Sequence, residues 1–376
     1  MKSFKISRLS LVALLVAVLC SSPMPARAVD ISGVVSNNGG ASFYIGNSSS
    51  GQTLTISNGG VLTNVHSGYI GNVGGNNSVL VTGSNSIWNN SAYLFLGLWA
   101  GGNTLTIANG GTVFNTVGYI GFVGSHSNSV LVADAGSVWS NSGNLIVGNG
   151  GFGNALTIAD GGTVFNTDGS IGDQAGANNN AVLVTGTGSV WSNGGNLSVG
   201  YYGAGNTLTI SNGGTVFNAV SYIGDQAGAN NNAVLVTGSN SVWSNSGDLE
   251  VGYIGSGNAL TIADGGTVFS SVGAIGVSTT ASHNSVLVTG TGSVWNNSGG
   301  LYVGNSGSGN TLTITNGGTV FNANGNIGYS ASASNNSVLV TGTGSVWSNG
   351  GNLYVGYAGS GNTLTISNGG TVFNAV

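Results

Sequence analysis

A chain of 376 residues with 71 glycines, 3% charged residues and a formal net charge of −5 holds too few ions for salt-bridge networks. Its four cations, Lys2, Lys5, Arg8 and Arg27, all lie at the start, so the rest carries eight Asp and one Glu with no permanent positive charge. That excludes nucleic-acid binding through phosphate contacts. The lone Cys20 excludes a disulfide framework, and 40% apolar content in a strict repeat excludes disorder.

Residues 1–28 read as a secretory signal peptide. Lys2, Lys5 and Arg8 precede an apolar run from Leu9 to Leu19, and Ala26-Arg27-Ala28 supplies the small-residue pattern for cleavage between Ala28 and Val29. The run is too short to cross a bilayer, and no membrane span is expected in the mature chain, 29–376. Export through the inner membrane is therefore expected, to the cell surface, the outer membrane or the medium.

From residue 29 onward the chain repeats. Trp139, Trp191, Trp243, Trp295 and Trp347 recur every 52 residues, and each 52-residue unit divides again, because NTLTIANGGTVFN at 103–115 aligns without a gap to NSVLVADAGSVWS at 128–140. The underlying period is about 26. Each period contains three strand-length pieces closed by Gly or Asn-Gly-Gly, such as Leu105-Thr106-Ile107, Thr112-Val113-Phe114 and Tyr119-Ile120. No segment has helical periodicity. Parallel strands joined only by turns must coil, so the expected fold is all-β, a right-handed single-stranded parallel β-helix (solenoid) of about 13 coils with three short strands each. At about 4.8 Å per coil the rod would be on the order of 60 Å long.

Two ladders are expected along it. Asn77, Asn103, Asn128, Asn154, Asn180, Asn206, Asn232 and their successors to Asn362 precede the first strand of each coil, where an amide can donate to one neighbouring coil and accept from the other. Alternation places Leu105 and Ile107 inward and Thr104 and Thr106 outward. In the ungapped alignment Phe165, Trp191, Phe217, Trp243, Phe269 and Trp295 share one position. They are expected to form an aromatic column outside or at a corner, serving as a mutual stack or as a surface strip for glycans or another β-helical rod.

The pieces NTLTISNGG-TVFN and NSVLVTGTGSVWSNSGNLYVG resemble the bacterial repeat shared by type V autotransporter passengers and PEP-CTERM-associated proteins, over essentially all of 29–376. The resemblance implies an adhesin-like β-helical passenger at the cell surface, with no catalytic residue to carry over. It also implies an outer-membrane translocator barrel or a short hydrophobic sorting segment. The sequence contains neither and stops at Val376 within a coil, as expected of a truncated passenger, a partial sequence or one separated from its translocator.

Two alternatives are weighed against the passenger. Polysaccharide lyases and glycoside hydrolases also use β-helices, but the mature chain has no Arg or Lys base, and a hydrolase needs two carboxylates across one sugar site. Asp160 and Asp264 replace turn asparagines such as Asn109. Asp173, Asp225, Asp248 and Glu250 form the one acidic cluster, which reads as solvated loop carboxylates rather than a calcium site. His66, His126 and His283 are too far apart for a metal or nucleophilic site. The other alternative is ice binding by Thr-Leu-Thr repeats, which Ser129 and Leu131 interrupt. The expectation is a structural or adhesin-like passenger that is not an enzyme, with no catalytic, cofactor or metal residues.

Overall fold

The computed structural model describes residues 28–33, 35–37, 41–64 and 66–375, and the signal expected over 1–28 lies outside them except for Ala28. The chain is an all-β parallel β-solenoid of about 13 coils with three short strands per coil, and no helix occurs among the described residues. It divides into two compact units, Met1–Asn166 and Thr167–Val376.

In the first unit one coil runs through Thr104–Ala108, Thr112–Asn115 and Gly118–Phe122, which belong to a first, second and third sheet. The strands are short because turn residues end them. Asn109 (φ 51°) and Gly110 (φ 85°) both take left-handed backbone at the first corner, a conformation Asn tolerates and Gly adopts without steric cost. The strands of successive coils pair in parallel and in register, as in Leu105↔Val130 and Ile107↔Val132, with one isolated antiparallel bridge at Phe122↔Gly150. Leu105, Ile107, Val113 and Ile120 from the three sheets are buried in a common interior.

The second unit repeats this plan. Its coils include Thr207–Ser211, Thr215–Asn218 and Ser221–Ile223, paired with Ala233–Thr237, Val242–Asn245 and Leu249–Val251. The acids Asp160 and Asp264 occupy the first corner with the same φ of 51° as Asn109, Asn212 and their sisters, so their position follows turn geometry.

The second sheet corrects the sequence alignment. Val113 pairs with Trp139 and Phe114 with Ser140, not Phe114 with Trp139. The reason is one extra residue in the turn before each Trp strand: three residues separate Ala108 from Thr112, but four, Asp134 to Ser137, separate Ala133 from Val138. The added serine is buried, and Ser137 Oγ accepts the Gly110 N–H at 3.0 Å. Its counterparts Ser189, Ser293 and Ser345 each donate Oγ–H to the carbonyl four residues earlier.

Candidate functional site

That register shift dissolves the expected aromatic column into two kinds of residue. Trp191, Trp243 and Trp295 are 0% exposed and lie inside, in register with valines, whereas Phe165, Phe217 and Phe269 are 40–44% exposed and lie in register with serine or asparagine. A ligand strip that includes the tryptophans is therefore ruled out, because an inward indole has no accessible ring face. What remains is a phenylalanine on every second coil.

The buried tryptophans explain why the repeat is a double coil. A Cβ added at Gly118 would stand 2.7 Å from Trp139 Cζ2 and 2.9 Å from Leu145 Cδ1, so close approach and not backbone angle favours glycine here, while in the coil before Trp243 the equivalent position holds the buried Ser221, whose Oγ donates to Asn245 Oδ1. Gly273 and Gly325 stand in the same relation to Trp295 and Trp347. One coil thus contributes valine and a small residue, glycine or Ser221, and the next contributes tryptophan and leucine.

Each coil's corner asparagine lies where the sequence places it. In the first unit Asn77 donates both its backbone N–H (3.0 Å) and its side-chain Nδ2 (2.8 Å) to Asn103 Oδ1, and Asn103 and Asn128 do the same to Asn128 and Asn154. In the second unit Asn180, Asn206 and Asn232 repeat the pattern toward Asn206, Asn232 and Asn258. One carbonyl oxygen thereby satisfies two buried donors. A second asparagine ladder, missed in the sequence reading, closes the second-sheet strands. Asn115 Nδ2 donates to Asn141 Oδ1 at 2.6 Å, and Asn218 Nδ2 to Asn245 Oδ1 at 2.8 Å. These asparagines also receive the indoles: Trp139 Nε1 donates to Asn115 Oδ1 at 2.7 Å and Trp243 Nε1 to Asn218 Oδ1 at 2.9 Å. The signal was present in the N closing each TVFN and VWSN piece.

The outward aromatic surface lies instead on the third sheet. In the first unit Tyr44, Tyr69, Phe95 and Tyr119 stack in successive coils with centroid separations of 4.6, 5.0 and 4.9 Å. The rings occupy one another's faces, so the ladder chiefly shields the strands beneath it. Tyr93 (45% exposed) packs edge-on against Phe95 and Tyr119, and Trp99, in the turn that follows Leu94–Leu96, is 60% exposed. The aromatic two residues before the closing Gly in FYIG, GYIG and FLG is its sequence signature.

In the second unit the third sheet carries the acidic cluster. Ser198, Tyr222, Glu250 and Ala274 are in register on successive coils. Asp225 is buried and accepts from Ser198 Oγ (3.2 Å) and Gln226 Nε2 (2.9 Å); burial raises its pKa while those two hydrogen bonds pull it down. Glu250 is pushed up to about 7 by burial and then by Asp248 and Asp225. The same factors raise Tyr222, burial first and Glu250 next. A carboxyl that stays protonated near neutrality can donate as well as accept a hydrogen bond. No three potential ligands group into a metal site among the described residues. The histidines stay separate; His126 stacks on Phe152 at 5.2 Å.

No family model matches the chain, and no curated protein matches it. Among solved structures it is similar to the crystal structure of a TibC-catalyzed hyper-glycosylated TibA55-350 fragment, with 16% identity over 92% of this chain and 95% of that one, at a TM-score of 0.51. That likeness concerns the fold.

Proposed function

We propose that the chain is an exported, non-catalytic β-helical passenger, structural or adhesin-like, cut between Ala28 and Val29 and displayed at the cell surface. The observation that carries the reading is the uncharged aromatic surface of the first unit: Tyr93 and Trp99, both solvent-exposed, on the coil whose Phe95 belongs to the ordered ring ladder. No acid or base of permanent charge lies between Asp30 and Asp134. Aromatic faces beside amides and phenol hydroxyls suit neutral glycans, which pack apolar ring faces and hydrogen-bond at their edges. The resemblance to passenger repeats and the fold shared with the hyper-glycosylated TibA55-350 fragment support the same reading.

The test is glycan-array binding by the purified chain, with Trp99→Ala and Tyr93→Ala beside the outward Phe217→Ala. Loss confined to the first two variants supports the reading, and binding unaffected by all three refutes this surface as the contact. Polysaccharide depolymerisation that disappears in Asp225→Ala would replace the passenger reading with the enzyme alternative.

A further inference from the structure

The outer face of the first sheet has a pattern that neither the core nor the proposed glycan surface uses. In the second unit this sheet has eight parallel strands, from Ala181–Thr185 to Thr363–Ser367. Their central outward residues alternate strictly between leucine and threonine, as in the registers Leu235↔Thr261, Thr261↔Leu287 and Leu287↔Thr313. These side chains are half-buried except for Thr365 on the last strand, which is exposed, and the flanking outward positions hold only Ala, Ser and Thr. No strand of this face carries an ionisable side chain. The nearest carboxylate, Asp264, sits at the margin and accepts from Thr237 Oγ1 at 3.2 Å.

We infer that this face pairs with the same face of a second copy of the chain, with the coil order of the two copies reversed. A two-fold axis parallel to the strands and passing between Ala259–Ala263 and Ser285–Thr289 sets Thr261 opposite Leu287 of the other copy, and Leu235 opposite Thr313. The same operation sets every remaining leucine opposite a threonine, because the alternation has an even number of strands. Each leucine ridge then enters the hollow above a threonine row, with leucines recurring about 10 Å apart along each copy.

A second copy fits better than an unrelated partner, since it carries the complementary two-coil spacing by construction. The absence of charge on the face removes the repulsion that a net negative chain would otherwise impose on self-association. The size suffices: eight strands of five residues cover about 600 Å² per copy, hence about 1,200 Å² in all, at the threshold for a stable interface. The inference rests on the first sheet alone, and absence of glycan binding by the first unit would leave it standing.

Sedimentation velocity on the purified chain up to about 100 μM tests it, a range that detects micromolar dimers. The expected result is a dimer whose dissociation constant rises by at least about ten-fold in Leu235→Thr/Leu287→Thr, which uses a residue this column already accepts. Leu235→Lys/Leu287→Lys and Leu235→Glu/Leu287→Glu should each be monomeric with unchanged far-ultraviolet circular dichroism, and mixing the two should restore a dimer by charge pairing. A wild-type chain that stays monomeric throughout overturns the inference. So does a dimer that survives all three paired substitutions.

Discussion

Trp139 donates its indole N–H to Asn115 Oδ1 at 2.7 Å, joining the core of one coil to the polar ladder of the coil before it. Both residues are buried, so the bond cannot be replaced by water without opening the solenoid. Removing the acceptor by Asn115→Ala should destabilise the chain by about 2–3 kcal/mol, because it orphans the indole and also the contact to Asn141. Asn115→Ser should cost less. Ser270 already performs this task for Trp295, with Oγ 3.3 Å from Nε1. Urea unfolding followed by tryptophan fluorescence measures both.

The close approach of Gly118 to Trp139 predicts a coupled pair. Gly118→Ala should cost about 1–3 kcal/mol through overpacking, and Trp139→Val about 3 kcal/mol through the cavity it leaves. The combined variant should lose less than the sum by more than about 1 kcal/mol, since each change relieves the other. Strict additivity in equilibrium unfolding would mean the two sites do not share that space.

The corner ladder predicts an unusual response to acid. Asn206 is 0% exposed, accepts from Asn180 and donates to Asn232. In Asn206→Asp the carboxyl is nearly isosteric and, when protonated, can keep one donor. Burial without a cation raises its folded pKa, so the variant should approach wild-type stability at low pH and lose several kcal/mol as pH rises through that value. Thermal melts across pH should therefore diverge from wild type on the alkaline side.

Glu250 gives the wild-type chain a milder dependence of the same sign. Its folded pKa lies near 7, against an ordinary value of 4.5, so between those limits the folded state binds more protons than the unfolded state. This contribution is fully present below about pH 4.5 and is lost as pH rises to about 7. Glu250→Gln should flatten the stability profile in that window and stabilise the chain above it. A profile with the same slope in the variant would assign the dependence to another group.

The sequence carried the fold well because its signals are local and repeated: alternation gave the inward Leu105 and Ile107, and Asn103 and Asn128 marked successive corners. The second sheet was misread for an equally local reason. A single inserted residue, Ser137 in one turn, moves Trp139 from the position of Phe114 to that of Val113, which exchanges an outward side chain for an inward one. Ungapped periodicity cannot see a change of face confined to one sheet. The ring ladder from Tyr44 to Tyr119 and the raised pKa of Glu250 depend on neighbours about 25 residues away, so neither was legible before the coils were placed in register.

The alternation of Val216 with Trp191 and Trp243 also fixes the step in which such a chain can grow or shrink. Deleting the single coil that holds Val216 would set two indoles against each other with one hollow to receive them. Deleting two coils leaves every neighbour as before. Duplications and losses in this gene should accordingly survive in multiples of 52 codons, and variants differing by 26 should be rare or poorly folded.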